Sequence, residues 1–156
     1  MKYALLAAIA ILLIFPLLGT AEVPNKQIDR EKILSESPEW QAKYDEFKPD
    51  PGLIKEMKAK IGDDLRVDVY FGLWCPDSRN NVPSFLKLLD ELGTPVKVRY
   101  FSVQRKPSKT IQYYVDSVRV ERVPTFIFYK GDTEIGRIIE NPKTGLLEDM
   151  REIITK

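Results

Sequence analysis

Val67-Asp68-Val69-Tyr70-Phe71-Gly72-Leu73-Trp74-Cys75-Pro76-Asp77-Ser78 reads as a strand that runs through a turn into a helix start. Val67 to Phe71 are strand formers. Gly72 breaks the run, and the chain's only cysteine follows next to a Pro-Asp pair. Beyond Ser78, Val82, Phe85, Leu86, Leu89 and Leu92 recur at helical spacing, so a helix is expected from Cys75 to Leu92, stopped by Gly93. Cys75 then sits at a helix N-terminus, where unpaired backbone N–H groups and the helix dipole favour a negative sulfur.

Working outward, Thr94-Pro95 leads to a second strand, Val96 to Val103. Strand, helix, strand at this spacing implies a parallel βαβ unit. Gln104 to Pro107 reads as a polar loop, and Ile111, Tyr114, Val115 and Val118 imply a helix over Ser108 to Val118. Val123-Pro124-Thr125 precedes an apolar strand, Phe126 to Tyr129. Gly131-Asp132 turns it into a second arm, Glu134 to Ile139. Leu146, Leu147, Met150, Ile153 and Ile154 mark an amphipathic C-terminal helix. On the other side, residues 22–64 are charged and mostly helical in pattern. Ser37-Pro38-Glu39 starts one helix, whose Trp40, Tyr44 and Phe47 stripe docks on the domain or binds a partner. Asp50 caps a second helix through about Ile61.

Three markers in this order resemble the thioredoxin family. Trp74-Cys75-Pro76-Asp77-Ser78 looks like its Trp-Cys-x-x-Cys site with serine at the second cysteine. Pro83, eight residues after Cys75, matches its helix-kinking proline. Val123-Pro124-Thr125 matches its Ile/Val-Pro-Thr, where a cis-proline lies beside the thiol. From Leu65 onward the resemblance covers 92 of 156 residues. It implies an α/β thioredoxin-like fold over 65–156, a central mixed sheet flanked by helices, with 22–64 as a helical N-terminal extension.

The resemblance implies that Cys75 is an exposed nucleophile beside an apolar groove, framed by Trp74, Pro76, Val123 and Pro124, and that the Val123 backbone pairs with a bound peptide. Two departures narrow the chemistry. Ser78 replaces the resolving cysteine, and a hydroxyl forms no disulfide. Val69 stands where the family has a buried aspartate, and Asp68, one residue away, points to the other face of the strand. Two readings of Ser78 stay open: it bonds only the helix backbone, or it acts with Cys75 by stabilising the thiolate. Asp77 works against the helix dipole, and Arg79 either adds charge near the sulfur or faces water. Of Tyr113 and Tyr114, one is expected in the core and one on the surface.

The leading expectation is an exported monothiol protein that forms mixed disulfides through Cys75 with exported thiol or disulfide proteins or small thiols, an external thiol completing turnover. The alternative is a non-catalytic protein-binding module. An iron–sulfur role lacks the Cys-Gly-Phe-Ser site, and a peroxidase lacks the Thr or Ser three residues before the cysteine. No cofactor is expected. With one cysteine and no histidine, neither a zinc site nor a Cys–His or Ser–His pair is expected. The net charge of +1 gives no pointer to nucleic acid.

Residues 1–21 read as a signal peptide, with Lys2, an apolar core from Leu5 to Leu18 and small residues at Gly19-Thr20-Ala21. Loss of Lys2 with it takes the 24 basic residues to 23, against 23 acidic. The rival reading is an uncleaved anchor, the one expected membrane attachment. The protein is then exported, periplasmic in a Gram-negative bacterium and otherwise secreted. A single cysteine in an oxidising compartment has no internal partner.

Overall fold

The computed structural model describes residues 26–36, 38–105 and 114–156. The elements are β1 (Lys26–Gln27), α1 (Arg30–Ser35), α2 (Pro38–Glu46), α3 (Pro51–Lys58), β2 (Leu65–Phe71), α4 (Pro76–Leu92), β3 (Lys97–Ser102), β4 (Thr125–Lys130), β5 (Thr133–Ile139) and α5 (Leu146–Ile154), with a 3-10 turn at Asp116–Val118. They build one five-stranded sheet in the order β1-β3-β2-β4-β5. β2 and β3 run parallel, and the remaining neighbours are antiparallel. This is the α/β thioredoxin-like fold, a mixed sheet flanked by helices.

Alternation along β2 sorts its side chains onto two covered faces. Val67, Val69 and Phe71 point into the larger core with Val82, Phe85, Leu86 and Leu92 of α4, Phe126 and Phe128 of β4, and Leu147 and Met150 of α5. The rings of Phe85 and Phe126 lie 5.0 Å apart, tying helix to sheet. Truncating either to alanine removes a fully buried ring and costs about 3–5 kcal/mol. Tyr70 points to the other face, in a smaller cluster with Cys75, Val103, Val115, Val120, Val123 and Ile127.

Helix ends follow local chemistry. Asp50 caps α3 by accepting from Leu53 N at 2.8 Å. Gly93 ends α4 with φ 58°, a left-handed conformation that glycine adopts at little cost. Pro83 lies inside α4, buried, with no N–H to give Arg79. Trp40 and Met57 are fully enclosed in the larger core, so the Trp40 stripe is a docking face and the helices before β2 share one core with the sheet.

One expectation changes and one feature is added. The mostly helical stretch before β2 also holds a strand: Lys26–Gln27 pairs on the outer edge of β3, and Ile28 N donates to Tyr100 O at 3.0 Å. The helix over Ser108 to Val118 is not continuous. Residues 108–113 lie outside the described residues, but Arg119 turns back at φ 54°, Val120 N donates to Val115 O at 3.0 Å, and the two valines form a bridge. Within the described part of that stretch, residues 114–118, the 3-10 turn at Asp116–Val118 is the one helical piece. Residues 1–21 and Ser37 also lie outside the described residues. Among the described residues, no helix is long and apolar enough to cross a membrane.

Candidate functional site

The site forms where β2 ends. The chain turns through Gly72, Leu73 and Trp74, closed by Cys75 N donating to Gly72 O at 2.9 Å. Cys75 is the N-cap of α4, extended at φ −93° and ψ 124°, and Pro76 opens the helix where its missing N–H costs nothing. Arg79 N donates to Cys75 O at 3.1 Å, the first helical bond.

Ser78 is fully buried, and its Oγ accepts from Gly72 N at 3.2 Å. The hydroxyl therefore ties the first turn of α4 to the end of β2. Close approach also governs Gly72: a Cβ there would lie 2.7 Å from Trp74 Cε2. The indole folds back over the glycine and donates from Nε1 to Val103 O at 3.1 Å. Its ring remains 36% exposed, with Tyr114 at 5.9 Å and the Arg105 guanidinium 5.7 Å away over the ring.

Opposite the helix start lies the loop before β4. The Val123–Pro124 bond is cis, and Cys75 Sγ donates to Val123 O at 3.1 Å. Both residues are buried, whereas Pro76 is exposed. The four expected groove residues thus divide into an exposed pair, Trp74 and Pro76, and a buried pair, Val123 and Pro124, with the sulfur between. Cys75 itself is only 6% exposed, which corrects the expectation of an open thiol. The reason is tertiary: the Val123 carbonyl covers the sulfur from one side, and the cluster around Val103 and Val115 packs against it.

The flanking charges are engaged elsewhere. Asp77 Oδ1 accepts from Asn141 Nδ2 at 3.4 Å. Arg79 pairs with Glu39 of α2 at 2.6 Å, so it does not simply face water. Val69 is enclosed in the core, and Asp68 points to the opposite face, only 1% exposed. There its carboxylate is held by Arg99 of β3 and by Arg66. Burial first, and then the negative charge of Asp68, push the Tyr70 phenol up to about 12. Among the described residues, no three Cys, Asp or Glu side chains converge as a cation site. Tyr113 lies outside the described residues, and Tyr114 is half-buried against Trp74.

Sequence reasoning missed the corner between β5 and α5. Asn81 of α4 donates from Nδ2 to Glu140 O at 2.9 Å and to Asn141 Oδ1 at 2.9 Å. Glu140 N donates to Pro124 O at 2.7 Å. The one signal for it was the Asn80-Asn81 pair inside a helix, where asparagine is disfavoured without a partner.

A family model described as thioredoxin matches residues 25–150. No curated protein sequence matches the chain. Among solved structures, a protein of unknown function from Pseudomonas aeruginosa is 16% identical at a TM-score of 0.60, covering 83% of this chain and 90% of that one. An HIV epitope-scaffold is 15% identical at 0.53, covering 83% of each. A thioredoxin from Fasciola hepatica is 27% identical at 0.42, covering 66% of this chain and 88% of that one.

Proposed function

This chain belongs to the thioredoxin family, and from that premise we propose that it is an exported monothiol exchange protein that forms mixed disulfides through Cys75. The observation that carries the reading is the placement of the one sulfur. Cys75 stands at the N-cap position of α4, and its Sγ lies 3.1 Å from the carbonyl of Val123, beside the cis Val123–Pro124 bond. An incoming disulfide reaches it along the edge formed by Trp74 and Pro76, the exposed half of the frame.

The exchange runs in two balanced steps. Cys75 releases its S–H proton to solvent, and the sulfur attacks one sulfur of the substrate disulfide. A Cys75–substrate S–S bond forms, the original S–S bond breaks, and the departing sulfur leaves as a thiolate that takes up a proton. Then a second thiol, either a small thiol or another cysteine of the substrate, loses its proton and attacks the substrate sulfur of the mixed disulfide; a new S–S bond forms between those two sulfurs, the Cys75–substrate bond breaks, and Cys75 leaves as a thiolate that takes up a proton. The second thiol comes from outside, because Ser78 has no sulfur and its hydroxyl is occupied by Gly72 N.

The substrates in this reading are exported proteins with thiols or disulfides, or small thiols. The apolar run in residues 1–21 supports export, and a mature protein beginning at Glu22 checks it. The direct test is mass spectrometry after incubation with glutathione disulfide. The wild-type chain gains one glutathione adduct at Cys75, and Cys75→Ser gains none. A wild-type chain that stays unmodified in its folded state ends the proposal.

One observation favours a second reading, a non-catalytic binding module: the sulfur is only 6% exposed. In that case Cys75→Ala recovers a bound partner undiminished in reducing and oxidising buffer alike. Under the exchange reading, recovery is lost with the sulfur.

A further inference from the structure

We propose that Asn81 is a positioning residue for Cys75: it brackets the cis-proline loop against the sulfur-bearing start of α4. This rests on the exchange reading for its consequence, though not for its geometry. Both N–H groups of the Asn81 amide are spent across the gap between α4 and the β5–α5 corner, one on Glu140 O at 2.9 Å and one on Asn141 Oδ1 at 2.9 Å. Asn141 in turn donates to Asp77 Oδ1 at 3.4 Å, back on the first turn of α4.

Glu140 is the junction. Its φ is 58°, a left-handed conformation that a non-glycine residue keeps only when its surroundings hold it there. Three contacts do so. Its N–H donates to Pro124 O at 2.7 Å, its carbonyl accepts from Asn81, and its carboxylate takes Arg122 Nη1 at 2.7 Å. Arg122 and Pro124 flank Val123, whose carbonyl accepts from Cys75 Sγ at 3.1 Å. The links close a ring: Asn81 to Glu140, Glu140 to Pro124, Val123 to Cys75, and Cys75 back to Asn81 through the backbone of α4. Within this ring, the Asn81 amide joins the helix to the β5–α5 corner, and through it to the loop.

Asn81 and Glu140 are half-buried, Asn141 is exposed and none of the three belongs to either apolar cluster, so opening the bracket disturbs local geometry far more than the fold. With the amide gone, the Val123 carbonyl no longer has a fixed place over the sulfur. A small neutral reagent then reaches Cys75 more easily. A disulfide that must align with both the sulfur and the Val123 backbone reacts more slowly, because displacement of about 1 Å costs on the order of a hundredfold in a well-positioned reaction.

The test is Asn81→Ala read by two reactions with opposite expected signs. Alkylation of Cys75 by iodoacetamide rises about tenfold, and mixed-disulfide formation with a disulfide-bonded peptide falls about tenfold. The control for general loosening is Asp90→Ala at the far end of α4, which loses its contacts to Arg30 and Tyr44 and leaves both rates unchanged. Asn141→Ala, on the exposed corner, moves both rates the same way by less and serves if Asn81→Ala does not fold. Alkylation at the wild-type rate in both asparagine variants overturns the bracket, as does an equal rise in Asp90→Ala. If no variant and no wild-type protein forms the mixed disulfide, the exchange reading fails, while the alkylation arm still decides the bracket.

Discussion

Asp68 and Arg99 stand opposite one another on the parallel strands β2 and β3, and the guanidinium donates to both carboxylate oxygens, Nε at 2.7 Å and Nη2 at 2.6 Å. Arg66 Nη1 adds a contact at 3.1 Å. The carboxylate is almost wholly buried, whereas Arg99 reaches solvent. A buried charge is tolerated because it is paired, and removing one partner exposes the cost of its burial. Arg99→Met is expected to lower stability in urea by about 2–3 kcal/mol, less than for an isolated buried pair because Arg66 remains. Adding Asp68→Leu recovers part of that loss. Strictly additive losses in the double variant would show that the two residues are not coupled.

Gly72 and Trp74 make a second coupled pair. Any side chain at residue 72 meets the indole at 2.7 to 2.8 Å. Since the indole is partly exposed, it gives way before the backbone does, and it loses its bond to Val103 O. Gly72→Ala therefore costs about 1–3 kcal/mol. Of the chain's two tryptophans, Trp40 is buried 2% exposed in the core, so the emission that shifts to the red is that of Trp74. An unshifted spectrum in Gly72→Ala contradicts the close approach.

The parts legible in the sequence were those written in local periodicity. Val67 to Phe71 are a run of strand formers, the α4 apolar residues fall at three- and four-residue spacing, and Gly131 turns at φ 58° between two arms of strand formers. Each of these signals concerns neighbours along the chain. β1 gave none, because Lys26 and Gln27 are both exposed and a strand of two residues has no period. Tyr114, Val115 and Val118 carried helical spacing, but the pairing of Val115 with Val120 prevailed. At the site, Cys75 at a helix start was readable from Gly72 and Pro76. The neighbourhood of Val123–Pro124, 48 residues away, was expected only through the family resemblance, and the burial of the sulfur under the Val123 carbonyl was not expected at all. The bracket from Asn81 to Glu140 spans 59 residues and was hidden by that separation.

Ser78 has a role that can be separated from chemistry at the sulfur. Its Oγ satisfies the buried Gly72 N–H. Ser78→Ala leaves that donor unpaired in the interior and is expected to cost about 1–3 kcal/mol. Adduct formation at Cys75 should change by no more than about threefold, less than 1 kcal/mol in activation terms. Both follow from one thermal melt and one time course with glutathione disulfide. A loss of reaction much beyond that, without loss of stability, would assign the hydroxyl to the thiolate instead.

Asp90 near the end of α4 makes stability fall away at both ends of the pH range. Burial alone would raise its carboxyl pKa, but donation from Arg30 and from the Tyr44 hydroxyl outweighs it, so the carboxyl titrates below its usual range. The hydrogen bond to Asp90, and then burial, push the Tyr44 phenol up to about 12. A depressed carboxyl contributes stability that is present above the ordinary value of about 3.9 and is lost as pH falls through the folded pKa. A raised phenol contributes stability that is present below the ordinary value of about 10 and is lost as pH rises through the folded one. Asp90→Asn removes the charge on which both shifts depend. The gap in melting temperature between wild type and Asp90→Asn is therefore widest between about pH 5 and 9 and narrows on either side. A gap that stays constant from acid to alkali would mean that the contacts of Asp90 with Arg30 and Tyr44 contribute only through packing.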